Sequence, residues 1–122
     1  MKWIVIVLAL LLAQAAAEPP TLRGWLSDES CARARADSGT YTGTNPDCAK
    51  RCVSQGKKIV LIDPSARRVL AIENQEAARG NIGDEVEIAG SVDSNKNALH
   101  IDSIKLVAHG AAMCSRPKHA KN

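Results

Sequence analysis

Residues 1–17 set the terms on which the rest of the chain must fold. Met1-Lys2 is a minimal positive start, Trp3 to Ala13 is an apolar run of 11 residues, and Ala15-Ala16-Ala17 offers the small-x-small pattern that signal peptidase cuts. The segment reads as a secretory signal peptide, with Glu18 as the expected first residue of the mature chain. The run is shorter than the roughly 20 residues of a membrane span, so no stable membrane anchor is expected. The expected destination is the periplasm or the extracellular space. Two consequences follow for folding. The most hydrophobic segment is withdrawn from the core, and Cys31, Cys48, Cys52 and Cys114 all enter a compartment where disulfides form and persist.

The remaining 105 residues carry fifteen basic and thirteen acidic side chains, a net charge of +2. That suits solubility better than binding a polyanion. Trp25 and Tyr41 are the only aromatics left, with no phenylalanine. Single-stranded nucleic-acid binders present several stacking rings along a basic groove, so nucleic acid is not an expected partner. A domain of this size has a modest core, to which each disulfide would add about 2–4 kcal/mol.

Thr21 to Ser27 alternates, with Leu22, Gly24 and Leu26 on one face and Arg23, Trp25 and Ser27 on the other. That period of two predicts a strand, and Gly24 on the inner face predicts a tight curve or a close backbone approach. Asp28 to Thr44 lacks a sustained period and reads as a long excursion pinned by Cys31, with at most a helical turn over Ala32 to Ala36. Four further strands are expected at Lys58 to Asp63, Arg68 to Ile72, Asp84 to Val92 and Ala98 to Val107, with a short helix or turn from Glu73 to Gly80. The last strand breaks its own rhythm: Leu99 and Ile101 share one parity, Ile104 and Leu106 the other. A bulge near Asp102-Ser103 would restore the phase.

Between the first two strands, Asn45 to Gly56 has a helix's punctuation. Asn45 caps, Pro46 needs no donor, Asp47 favours the positive end, and Gly56 ends the helix. Cys48, Ala49, Cys52 and Val53 form its buried stripe. The expectation is a mainly β fold: a small, five-stranded, partly open barrel of the oligonucleotide/oligosaccharide-binding (OB) type, with one helix between strands 1 and 2 and a disulfide staple. A five-stranded sheet with the helix on one face is the alternative. The barrel domain is expected over residues 18–110, followed by a basic tail, 111–122, tied by Cys114.

Four cysteines allow three complete pairings. Because Cys48 and Cys52 lie one turn apart on one face, the expected staple joins one of them to Cys31 and the other to Cys114. A tetrahedral metal site is a rival reading, since Cys-x3-Cys falls within the usual knuckle spacing. The other two cysteines, however, stand singly, 17 residues before Cys48 and 62 after Cys52. A thioredoxin-like centre fits less well, because that chemistry uses Cys-x-x-Cys at a helix start.

At these cysteines the chain resembles a group of small exported bacterial proteins. Their pattern is Gly-x-Ile/Leu-Ser-Asp-x-x-Cys, then a Cys-x-x-x-Cys-Val-x-x-Gly helix, then strands ending in a Gly-x-x-Val-x-Val-x-Gly hairpin. Here the pieces read Gly24-Trp25-Leu26-Ser27-Asp28-Glu29-Ser30-Cys31, Cys48 to Gly56, and Gly83-Asp84-Glu85-Val86-Glu87-Ile88-Ala89-Gly90. The resemblance spans Gly24 to Leu106. It implies an OB-like barrel and brings no assigned activity. The chain departs from the pattern at Ala32, where a glycine often follows the first cysteine, and at the added Cys114, which suggests a second bridge.

Catalytic signals are weak, and no enzyme and no cofactor is expected. Asp28-Glu29 and Asp84-Glu85 are neighbouring carboxylates, not a pair set across a cleft. Ser27, Ser30 and Ser38 lack a nucleophile context. His100 is expected to face solvent. Met113, Cys114 and His119 offer soft copper ligands, but a tail bridged through Cys114 is the plainer reading. The functional expectation is an exported, non-catalytic binding or interaction domain for a protein, peptide or saccharide. A structural or envelope-stress protein without a ligand and a periplasmic metal-binding or thiol-redox accessory protein are the alternatives. Trp25 is the candidate interaction residue; the competing reading has it filling a gap beneath the helix.

Overall fold

The alternation that begins at Thr21 forms β1, Thr21–Asp28, and the later apolar runs form β2, Ile59–Asp63, β3, Arg68–Ile72, β4, Glu85–Asp93, and β5, Ala98–Ala108. A computed structural model describes residues 20–110. The expectations for residues 1–17, for Glu18 and for the tail, with Met113, Cys114 and His119, lie outside the described residues.

The strands close a barrel in the order β1-β2-β3-β5-β4. The barrel is closed rather than partly open, for two reasons. First, β1 serves two neighbours, pairing with β4 through Thr21–Trp25 and with β2 through Trp25–Asp28. Second, β3 and β5 meet in a short parallel pair, Ala71 with Ala98 and Ile72 with Leu99. Closure leaves no exposed edge. At Gly24 a β-carbon would run into the Ile62 carbonyl oxygen, so the close approach requires glycine. At the other bend, Ala89 faces Ser103 while Gly90 faces Ile101, which leaves Asp102 as the bulged residue. The phase change buries Leu99 and Ile101 and lets Ile104 pack on the core, whereas Leu106 stays 41% exposed.

Inside the barrel, Leu26, Ile59, Leu61, Leu70, Val86, Ile88 and Leu99 are fully buried. A short 3-10 helix, Gln75–Asn81, adds Ala78 to this core. The two residues at its start act as spare strand. The Asn74 amide donates to the Ile101 carbonyl and accepts from the Ile101 N–H. The Gln75 amide accepts from the Ile59 N–H at 2.8 Å and donates to the Ile59 and Ile72 carbonyls.

Two helices, not one, separate β1 from β2: α1, Glu29–Asp37, and α2, Pro46–Ser54. α1 is set by its ends. Asp28 caps it, Glu29 lies in its first turn and Arg35 in its last. Its one buried residue, Ala32, makes too faint an apolar stripe to reveal nine helical residues. That alanine joins Val60 and Ile62 in a second small core outside the barrel, against which Trp25, Tyr41 and Val69 pack. β2 is therefore buried at all five positions. Arg67 stacks its guanidinium 5.0 Å from the Tyr41 ring, holding the excursion to the β2–β3 turn. In α2 the Asn45 side chain accepts from the Cys48 N–H, and Pro46 opens the first turn.

Asp63, fully buried at the end of β2, accepts from Ser65 and, at 3.0 Å, from Arg68. Burial alone would raise its pKa. The hydrogen bonds from Ser65, Arg68 and the Ala66 backbone, with the Arg68 charge, outweigh it and hold the carboxyl below its usual value. A depressed native value means that the unfolded chain takes up the proton first. The stabilisation is thus complete above the ordinary carboxylate range and is lost as pH falls through the native value. Asp63→Asn is expected to lower stability by about 2 kcal/mol at neutral pH and to flatten the acid limb of a plot of melting temperature against pH.

Candidate functional site

Trp25 stands where β1 passes from β4 to β2, with its side chain on the outer face. It is half-buried and does two things. It packs against the second core, and it lines a groove of about 550 Å3 with Leu22, Arg23, Pro64 and Glu85. The groove is mainly apolar, with Leu22, Trp25 and Pro64 among its lining residues. Arg23 reaches Glu85 at 3.5 Å, placing a charged pair at its edge. A smaller groove of about 370 Å3 lies on the β2–β3 face, between Arg33 of α1 and Lys96 of the β4–β5 turn, above Val60, Val69 and Ala71.

A third feature gathers where β1, α1 and α2 converge. A carboxylate oxygen of Asp28 and the sulfurs of Cys31 and Cys52 all lie within 4.8 Å of one another. Asp28 is fully buried. Its Oδ2 accepts from the Ser30 and Cys31 N–H groups, both at 3.0 Å, which is the α1 cap. Its Oδ1 has no hydrogen-bond partner. Burial, then a hydrogen bond and the charge of Asp28, then the nearby Cys52 push the Cys31 thiol up to about 12.

The staple is not formed among the described residues, where Cys31, Cys48 and Cys52 are free thiols. A disulfide requires sulfurs at about 2.05 Å, and none of the three is so bonded. Of the two α2 cysteines, Cys52 is the one grouped with Cys31.

The carboxylate pairs separate to different partners. Asp84 accepts from the Gly110 N–H and meets His109 at 3.3 Å, whereas Glu85 meets Arg23. His100 is exposed. Ser27 shares a 2.7 Å hydrogen bond with buried Thr44, not with a histidine. Asp28 as a site residue escaped the sequence reading, which took it for one of two adjacent acids. The signal available was its place three residues before Cys31, the spacing of a helix cap to its third amide. Among the described residues, no helix is long and apolar enough to cross a membrane. Comparison with family models, curated proteins and solved structures gives no match.

Proposed function

We propose that this chain is an exported, non-catalytic binding domain of OB-like architecture that takes a peptide or saccharide ligand at the Trp25 groove. The observation that carries this reading is a half-buried tryptophan lining an apolar groove of about 550 Å3. Such a ring supplies large contact area at small entropic cost, and aromatic anchors dominate binding energies. The strand order and the parallel β3–β5 pair support the OB-like assignment. Export is supported by the pattern of residues 1–17 and, in that compartment, Cys48 is left to bridge to Cys114.

Cleavage before Glu18 leaves Trp25 as the single tryptophan, so its emission reports on the groove alone. Titration with a panel of short peptides and oligosaccharides is expected to give a saturable shift in emission. Trp25→Ala is expected to weaken calorimetric affinity by about 2 kcal/mol, roughly 30-fold. Emission that no panel member moves, from an indole that acrylamide does not quench, would favour a structural protein without a ligand.

A second reading is favoured by the position of the smaller groove, on the β2–β3 face where OB barrels take oligosaccharides. Exposed Arg33 and Lys96 suit an anionic saccharide there. Such a ligand would bind without changing Trp25 emission and would be lost on Arg33→Glu with Lys96→Glu.

A further inference from the structure

We infer that Asp28, Cys31 and Cys52 form a binding site for one thiophilic divalent cation of the zinc class. The site is separate from both grooves and does not depend on either accepting a ligand. Three elements deliver its donors: the end of β1, the first turn of α1 and the middle of α2. Their ligating atoms lie within 4.8 Å of one another, close enough to face a common ion.

The strongest pointer is the Asp28 side chain. One oxygen is occupied by the α1 cap, while the other is buried without a hydrogen-bond partner. An unpaired buried carboxylate oxygen is costly, and a cation would remove that cost. Two sulfurs with one oxygen also select the ion. Calcium and magnesium take oxygen sets, and copper(I) favours sulfur alone, whereas zinc accepts thiolate and carboxylate together.

Cys31 and Cys52 are only half-buried, so an ion can enter from solvent. Binding converts two thiols to thiolates, releases both protons to solvent and forms two zinc–sulfur bonds without any redox change. Three protein ligands leave the fourth tetrahedral position to water.

The test uses the full chain, isolated without added reductant and dialysed against trace ZnCl2. One zinc per chain is expected, with two thiols protected from alkylation until a chelator is added. Cobalt(II) in place of zinc should show thiolate charge-transfer absorption. Asp28→Asn retains a capping side chain, so circular dichroism should stay near that of the parent while zinc affinity falls at least about tenfold. Cys52→Ser should abolish the cobalt absorption, and Cys48→Ser should keep it. A peptide map showing Cys31 disulfide-bonded to Cys52 would overturn the site. So would zinc below stoichiometry, or Asp28→Asn binding as tightly as the parent.

Discussion

Alanine at position 24 is expected to lower stability by about 3 kcal/mol, read as a fall in the urea midpoint of the Gly24→Ala variant. The added methyl would meet the Ile62 carbonyl oxygen. That oxygen belongs to the main chain of a fully buried strand and cannot swing aside as a side chain would. Relief requires β1 and β2 to part next to the Trp25–Ile62 pair, where β1 passes between its two neighbours. Gly80→Ala is the control, because a β-carbon there meets nothing within 4 Å. It should change stability by less than about 0.5 kcal/mol. Equal midpoints for the two variants would place the β1–β2 approach elsewhere.

The second large effect is expected at Gln75. Its amide makes three hydrogen bonds to backbone groups of Ile59 and Ile72, both buried core residues. Gln75→Leu keeps much of the volume and leaves the Ile59 N–H and two carbonyls without that partner. Stranding buried backbone groups costs about 1–3 kcal/mol per group, so a loss of about 3 kcal/mol is expected in the same titration. Hydrogen exchange gives an independent reading, since the Ile59 amide should lose protection disproportionately. A Gln75→Leu variant as stable as the parent, with Ile59 still protected, would show that water or another group replaces the amide.

The sheet was legible because burial on one face imposes a period of two. The alternation in β1 and β4, the close approach at Gly24 and the bulge at Asp102 could each be read from neighbouring residues. What was hidden depends on partners distant in sequence. Closure rests on the two-residue β3–β5 contact and on β1 serving two strands, neither of which leaves a local pattern. α1 was hidden because capping, not an apolar stripe, defines it. Asn74 and Gln75 read as ordinary polar loop residues, since a side chain standing in for a strand has no periodicity.

The cysteines show the same boundary between local and distant information. The spacing of Cys48 and Cys52 indicated a shared helix face but not which of them would approach Cys31. The unsatisfied oxygen of Asp28 lies 24 positions from Cys52 and becomes visible only when β1, α1 and α2 meet. An oxidising compartment would favour disulfides, while the arrangement of donors favours an ion.

Native mass spectrometry of the protein taken from its own host addresses export and the cation site together. The expected species begins at Glu18 and carries one zinc, and after acid removal of the metal it lacks two hydrogens, the mark of a single Cys48–Cys114 bridge. A metal-free chain lacking four hydrogens, with every cysteine in a disulfide, would contradict the cation site. A chain that still begins at Met1 would contradict export.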